Sequence, residues 1–594
     1  MREIMKKLIC VTLLIEKSPQ ALPLGAACIA SAVKNDSRTK NLYDARLIDY
    51  CRESPEIEKI YSETGPGQIK NAGELAVGTW IAKELAALNP DIVCFSIYVW
   101  NHIALEKAAL EIKKLIPGVI TVAGGPEVTA NPYVFSGMDY SMAGAGEGAT
   151  TELLDNIWKE QEKGADPLKD YHIPGIYFLN GKPDASPEKN SLSSLQRMLP
   201  CNPEVLSSPY LDGTIDVAKY GGALWELARG CPFKCSYCYE SKGEKKVSYF
   251  PLERLEKEIE LFAKKNISQV FVLDPTYNAS KERAIKMLKI IEKKAPGMFF
   301  YFEARAEFID RELAQAFSRV PCALQIGLQS ADEAVLKNVH RTLDKKKFIR
   351  NIGYLNETGV TFGFDLIYGL PGDNLKGFKN SIDFALSLYP NNLELFCLSV
   401  LPGTDLNDAA AEFGMVWEQT PPYHVIKTPQ FSEADLEKAA SLARATNLFY
   451  TQGRAVPWFN SVLFPLKIKA SQFFTEFSQY MVEQKIDFAL SKCQSGEEKS
   501  RKITEIQKAF VSKKYREKHL DKLLPAAEDL ILINGALGLC TFDGTESEFT
   551  THYHPDDVMS EYGTDLQFFA DNCGKQKCRV KVFESEKGPD WMTL

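Results

Sequence analysis

Along the first 165 residues, apolar runs of strand length alternate with stretches of helical spacing. KLICVTLL is predicted as a first β-strand, and LPLGAACIASAVK, with apolar positions three and four apart, as the helix after it. ARLIDY, DIVCFSIYV and VITVAGGPEVT are further strands, the last running into a Gly-Gly-Pro turn. AGELAVGTWIAKELAAL and NHIALEKAALEIKKL are helices between them, and DYSMAGAGEGATTELLDNIWK closes the region as a short strand, a glycine loop and a helix. Short apolar strands separated by amphipathic helices predict an α/β, doubly wound, Rossmann-like parallel sheet covered on both faces. Ligands of such sheets lie beyond the carboxyl ends of the strands, where AGGPE and GAGEG fall.

Residues 166–215 are rich in Pro, Gly, Ser and Asn and read as a linker with room for one hairpin. A second alternating block follows over 216–428, with strands at ALWELAR, QVFVLD, FFYFEAR, CALQIGL, VTFGFDLIY and LELFCLSV. Six βα units fall short of a closed (β/α)8 barrel, so the block predicts an open, partial (β/α)6 barrel, left through the extended PPYHVIKTP. Residues 429–594 are mainly helical and amphipathic and end in a β-looking tail, from AAEDLILINGALGLCTFD to CRVKVFESE.

Composition narrows the picture. A chain of 594 residues is too long for one core. A net charge of −8 gives no support to bulk nucleic-acid binding. No apolar run approaches the roughly 18 residues that cross a bilayer. The opening MREIMKKLICVTLLIEK imitates a signal peptide, but its apolar stretch is short, ends in Glu16-Lys17 and lacks a cleavage site, so a buried strand is expected. The fourteen cysteines then belong to a reducing cytoplasm. Scattered ones such as Cys10, Cys94, Cys322 and Cys397 are expected as core filler.

GCPFKCSYCYE gathers Cys231, Cys235 and Cys238 in a loop straight after the first barrel strand. A structural zinc site has four protein ligands, and no second knuckle lies nearby: Cys201 is too far upstream, and Cys573 and Cys578 are hundreds of residues away. A [4Fe-4S] cluster held by three thiolates leaves one iron open to substrate. His552 and His554, two apart on an expected strand, could join Cys540, Cys573 and Cys578 in an auxiliary metal site, although the spacing fits no familiar set.

The CxxxCxxC spacing, with Tyr237 before the last cysteine, resembles the radical S-adenosylmethionine superfamily. The resemblance spreads along the barrel block. It implies S-adenosylmethionine contacts at Asp274, with Thr276 and Asn278, in VFVLDPTYN; at Glu303 and Arg305 in YFEARAE; at Gln329 and Ser330 in QIGLQS; and at Gly369, Leu370 and Pro371 in FDLIYGLPGD. LPGTDL after the sixth strand is also common there.

A doubly wound domain ahead of such a barrel resembles the cobalamin-binding subclass. Pro23, Leu24 and Gly25, Ser96 and Tyr98, Gly124, Gly125, Pro126 and Glu127, and Gly146 and Glu147 are the implied cobalamin contacts, with glycines where a side chain would meet the corrin. The Asp-x-His-x-x-Gly motif of cobalamin mutases is absent, and His102 is the only histidine before residue 165. Cobalt is therefore expected without a histidine ligand; His102 is expected to cap or pack at its helix start, and Tyr98, Trp100 and Asn101 to wall the lower corrin face. The whole pattern is most similar to uncharacterised members with a helical C-terminal domain of unassigned function.

What the resemblance implies is a cytoplasmic, cobalamin-dependent C-methyltransferase working on an unactivated carbon through a 5′-deoxyadenosyl radical. Its partners would be a small-molecule or peptide substrate and an electron donor such as flavodoxin or ferredoxin. The alternatives are rearrangement or cyclisation by the same cofactors, and a sensor that does not turn over. A tRNA methylthiotransferase is disfavoured, because Cys10, Cys28, Cys51 and Cys94 are dispersed and no basic C-terminal barrel follows.

Overall fold

The computed structural model describes residues 5–64, 71–183, 202–242, 246–586 and 588–594. Cys201 and the middle of the expected linker, 184–201, lie outside the described residues. The chain divides into two compact units, Met1–Ala323 with Ser399–Val425, and Leu324–Leu398 with Ile426–Leu594.

The first unit opens with β1 (Lys6–Leu14), β2 (Tyr43–Cys51), β3 (Ile92–Ser96), β4 (Ile120–Gly124), β5 (Tyr140–Met142) and β6 (Ile176–Phe178), in the order β2-β1-β3-β4-β5-β6. The first five are parallel; β6, from within the expected linker, is antiparallel to β5. Alternation splits the strands between two cores. Val11, Leu13 and Phe95 pack with the helices Ala72–Ala87 and His102–Leu115. Leu8, Cys10, Cys94 and Val122 pack with Leu24–Asn35 and Glu147–Glu162. Each such fully buried aliphatic side chain stabilises the fold by about 1.5–3 kcal/mol. Cys10, Cys94 and Cys322 are buried as expected of core residues, whereas Cys397 is only half-buried.

The second sheet is built from β7 (Gly222–Trp225), β10 (Gln269–Val272), β11 (Phe299–Ala304), β12 (Cys322–Gln329), β13 (Thr361–Tyr368) and β14 (Asn392–Cys397). Its order, β14-β13-β12-β11-β10-β7, is an open row in chain order. The expected first strand, ALWELAR, is broken. After Trp225 the chain leaves the sheet and restarts as β8 (Ala228–Arg229), antiparallel to β9 (Ser248–Tyr249). The cause is Asp274, whose Oδ1 accepts the N–H groups of Leu227 at 2.9 Å and Ala228 at 3.0 Å and draws the chain aside.

In the second unit, the helices Glu433–Thr446, Ala470–Glu483 and Gly496–Glu517 surround an aromatic core of Phe449, Phe473, Phe474, Phe477 and Phe510. A π-helix, Asn447–Gln452, runs beside β14; the Thr451 hydroxyl accepts from Leu393 N at 3.1 Å and donates to Leu393 O at 3.3 Å. AAEDLILINGALGLCTFD, expected as β-structure, is instead the greater part of the helix Leu524–Asp543, with Pro525 in its first turn and left-handed Gly544 (φ 64°) at its end. Its apolar residues run nearly all round because it is a buried helix, a pattern that periodicity cannot tell from a core strand. Among the described residues it is the one helix long and apolar enough to cross a membrane, and 56% of its apolar window is buried in the protein. The β-rich tail is a three-stranded antiparallel sheet of Ser547–Thr551, Cys578–Ser585 and Gly588–Thr593.

Candidate functional site

The cysteine loop springs from β8 through Gly230, whose φ of 90° suits glycine. Cys235 is buried, Cys231 and Cys238 are half-buried, and Cys238 N donates to Cys235 O at 3.1 Å. The LPGTDL segment closes on the loop, Leu406 N donating to Ser236 O at 2.8 Å. Ser236 is 4% exposed and its hydroxyl has no partner. Burial pushes the Cys238 thiol up to about 12 and raises Cys231, with neighbouring thiols adding to both. Bare Cys231 and Cys238 are therefore protonated at neutral pH, and a metal must displace their protons. Zinc needs every ligand within roughly 2.0–2.3 Å of one point, and among the described residues no three His, Cys, Asp or Glu side chains form such a single-ion group. A cubane makes no such demand, because each thiolate holds a different iron.

Around the loop, Arg305 is clamped by Asn278, which donates to Arg305 O at 2.9 Å and accepts from Arg305 N at 3.0 Å. Its guanidinium lies 3.8 Å from the centre of the Phe233 ring in the cysteine loop and pairs with Glu307, while its Nε is buried without a partner. Glu303 is exposed near the end of β11, Tyr237 is half-buried, and Thr276 spends its hydroxyl on Pro275 O. Burial pushes the Asp274 carboxyl up to about 7 against the pull of its two backbone donors. Asp274 thus braces the bend that leads into the cysteines.

In the second unit, Gln329 takes a left-handed φ of 67° and keeps a buried Oε1 without a partner. Ser330 is buried beside Ser381 (3.4 Å) and accepts from Asp332 N, while Leu370 is buried and Pro371 O accepts from Asn338. Gly369 has a φ of 89°. Gln325, Asp365 and Asn392, from three strands, form a chain of side-chain hydrogen bonds; Glu394 lies opposite Asp365 in the register. Burial pushes Asp365 up to about 6. Sequence reasoning passed over these four, although each is a polar residue at an alternate position of an otherwise apolar strand.

At the strand ends of the first sheet, Pro23 and Leu24 begin a helix, and a Cβ on Gly25 would meet Tyr98 Oη at 2.7 Å and Ser96 Oγ at 3.2 Å. Tyr98 stacks on Trp100 with ring centres 4.5 Å apart. Buried Asn101 holds the turn, accepting from Tyr98 N at 2.8 Å. Gly124 and Gly146 flank Met142, whose Cε a Cβ would meet at 2.9 and 2.3 Å, and Gly125 (φ 108°) presses on the Ile97 backbone before Pro126 starts a short helix. The close approaches at these glycines are to the protein's own atoms. Both carboxylates of these loops are buried and partnered. Glu127 Oε2 meets His102 Nδ1 at 2.7 Å and the Tyr423 hydroxyl at 2.9 Å, and Glu147 Oε1 meets Arg229 at 2.7 Å. His102 turns its other nitrogen toward Glu106 at 3.9 Å, so it packs at its helix start. Ser141 Oγ, in the middle of β5, and Asn131 Oδ1, at the end of the helix Pro126–Ala130, are buried polar atoms without partners.

The histidines of the tail have structural duties. His552 lies past its strand and meets Asp529 at 3.0 Å, and His554 caps the helix Pro555–Val558.

A profile of the Radical SAM superfamily matches residues 225–385. The chain is 25% identical over 384 residues to the 2-(S-pantetheinyl)-carbapenam-3-carboxylate methyltransferase of Streptantibioticus cattleyicolor, covering 61% of this chain and 53% of that one. It is 28% identical over 346 residues to the cobalamin-dependent radical SAM methyltransferase TokK of Streptomyces tokunonensis, covering 54% and 48%. The chain spans about half the length of these curated relatives. Its fold is like that of the cobalamin-dependent S-adenosylmethionine radical enzyme OxsB, solved with aqua-cobalamin bound, with a TM-score of 0.53 at 16% identity over 89% of this chain and 83% of that one. Residues 225–385 thus match the Radical SAM superfamily, within a fold like that of a cobalamin-dependent S-adenosylmethionine radical enzyme.

Proposed function

We propose that this protein is a cobalamin-dependent radical S-adenosylmethionine methyltransferase that methylates an unactivated carbon of a small molecule or peptide. The observation that carries the proposal is the placement of Cys231, Cys235 and Cys238 in one part-buried loop, one residue past the Arg229–Glu147 ion pair that ties it to a strand end of the doubly wound sheet. Relatives named as methyltransferases, matched over 61% and 54% of this chain, support it.

The three thiols are the ligands for a [4Fe-4S] cluster, and the ends of β1, β3, β4 and β5 are the place for cobalamin. Bound in these places, the cluster supplies the electron for reductive cleavage of S-adenosylmethionine, and cobalamin supplies the methyl group. Tyr237, Glu303, Arg305, Gln329, Ser330, Gly369, Leu370 and Pro371 are the proposed S-adenosylmethionine contacts. Of these, Arg305 Nε and Gln329 Oε1 hold unspent hydrogen-bonding capacity for its polar groups, whereas Asp274 acts by bracing the loop. Pro23, Leu24, Gly25, Ser96, Tyr98 and the two glycine loops shape the cobalamin side, and Glu127 and Glu147 hold that side in place rather than touch the ligand. Burial of Cys235 keeps water from its thiolate. An external reductant such as flavodoxin or ferredoxin delivers the electron.

The test is anaerobic reconstitution of the cluster, addition of hydroxocobalamin, desalting, and a visible spectrum of the protein beside a Cys235→Ala control. Stoichiometric cobalamin with an intact cluster, and 5′-deoxyadenosine on addition of S-adenosylmethionine and reductant, are expected. A loaded cluster from which cobalamin washes through would remove methyl transfer from cobalt and leave radical chemistry without it.

A further inference from the structure

Arg229 is placed where it controls the cysteine loop. Only Gly230 separates it from Cys231, and the φ of 90° there makes the direction of the loop depend on where Arg229 is held. Among the described residues, two carboxylates of different origin hold the guanidinium. Glu226, three residues upstream, takes Nε at 2.8 Å and Nη2 at 3.0 Å. Glu147, from the GAGEG loop after β5, takes Nη2 at 2.7 Å. Both Arg229 and Glu147 are withdrawn from water, with side chains 17% and 8% exposed, and a charge so buried needs its partner. Burial works against ionisation of Glu147, but Arg229 holds its carboxyl below the usual range, so the pair is ionic. Only arginine presents a planar fork able to serve both carboxylates; a lysine is a single point charge.

The Glu147 carboxylate is spent on Arg229. We propose that Glu147 is a positioning residue for the cysteine loop: acting through Arg229, it sets the orientation in which Cys231, Cys235 and Cys238 receive the cluster and present its open iron to S-adenosylmethionine. This inference rests on the proposal that the three cysteines bind a [4Fe-4S] cluster.

The test uses the full chain, reconstituted anaerobically, as wild type, Glu147→Gln, Glu147→Asp, Arg229→Lys and the pair Glu147→Gln/Arg229→Lys. The measurements are iron content, thermal midpoint, and the electron paramagnetic resonance spectrum of the dithionite-reduced cluster before and after S-adenosylmethionine. Glu147→Gln is expected to bind iron yet lose at least threefold of the spectral change that S-adenosylmethionine produces in wild type. Glu147→Asp should recover part of it, and the paired variant should be no worse than Arg229→Lys alone. A Glu147→Gln protein with a lowered thermal midpoint but the wild-type spectral change would overturn the inference, since the contact would then serve stability only. Should Glu147→Gln not fold, Arg229→Lys, which keeps the charge and loses the fork, bears the same expectation and the same refutation. A wild-type protein that takes up no more iron than Cys235→Ala would instead refute the cluster itself.

Discussion

Tyr423 donates its hydroxyl to Oε2 of Glu127 at 2.9 Å, joining residues 296 apart in sequence, and His102 Nδ1 meets the same oxygen at 2.7 Å. Tyr423 is held with a φ of 60°, and its carbonyl accepts from Val400 N, so the segment leaving the second sheet is pinned by backbone and side chain together.

Tyr423→Phe removes one donor and leaves Glu127 with His102, at an expected cost of about 0.5–1.5 kcal/mol. Glu127→Ala strands two buried groups and should cost about 2–4 kcal/mol. Urea unfolding of the two variants at neutral pH measures the difference. Equal losses would mean that Glu127 does not hold this junction.

Asp274 makes a signed prediction about pH. Its folded carboxyl is raised from the ordinary 3.8 to about 7, so the fold prefers it protonated. The stabilisation it gives is complete below about pH 4 and is lost as pH rises from there through about 7. Asp274→Asn keeps an oxygen for Leu227 N and Ala228 N without the titration. The urea midpoint of the variant should therefore gain on wild type steadily between pH 4 and 7; a constant difference would show that Asp274 does not titrate in this window.

Asp529, fully buried in the helix Leu524–Asp543, accepts from His552 N at 2.8 Å and Tyr553 N at 2.9 Å through Oδ2 and meets the His552 ring through Oδ1. Asp529→Ala should destabilise the C-terminal region by about 3 kcal/mol, and His552→Ala by about 1 kcal/mol. Denaturation followed by tryptophan fluorescence, with Trp591 on the adjoining sheet as reporter, separates the two. A His552→Ala loss as large as that of Asp529→Ala would move the weight to the imidazole.

Much of this was legible in the sequence because it is local. β1, β3, β4 and the barrel strands are short apolar runs between helices of clear spacing, and Cys231, Cys235 and Cys238 announce their chemistry by spacing alone. What escaped depends on partners distant in the chain. The bend between β7 and β8 is made by Asp274, 47 residues beyond Leu227. Glu127 and Glu147 read as ligand contacts because they sit in glycine loops at strand ends; their contacts with His102, Tyr423 and Arg229 could not be read from the sequence. The helix Leu524–Asp543 was obscured by its own burial, which leaves it apolar on nearly every side.

The open row of strands leaves β14 as a terminal edge, and such edges template unwanted pairing with other chains. Here the Thr451 hydroxyl occupies both the N–H and the C=O of Leu393, so the π-helix serves as a guard rail for a barrel that never closes. A chain cut back to the end of the barrel at residue 428 would lose that guard and bare an adhesive rim. The helical region is therefore a condition of solubility for the barrel, and trimming it away should yield inclusion bodies.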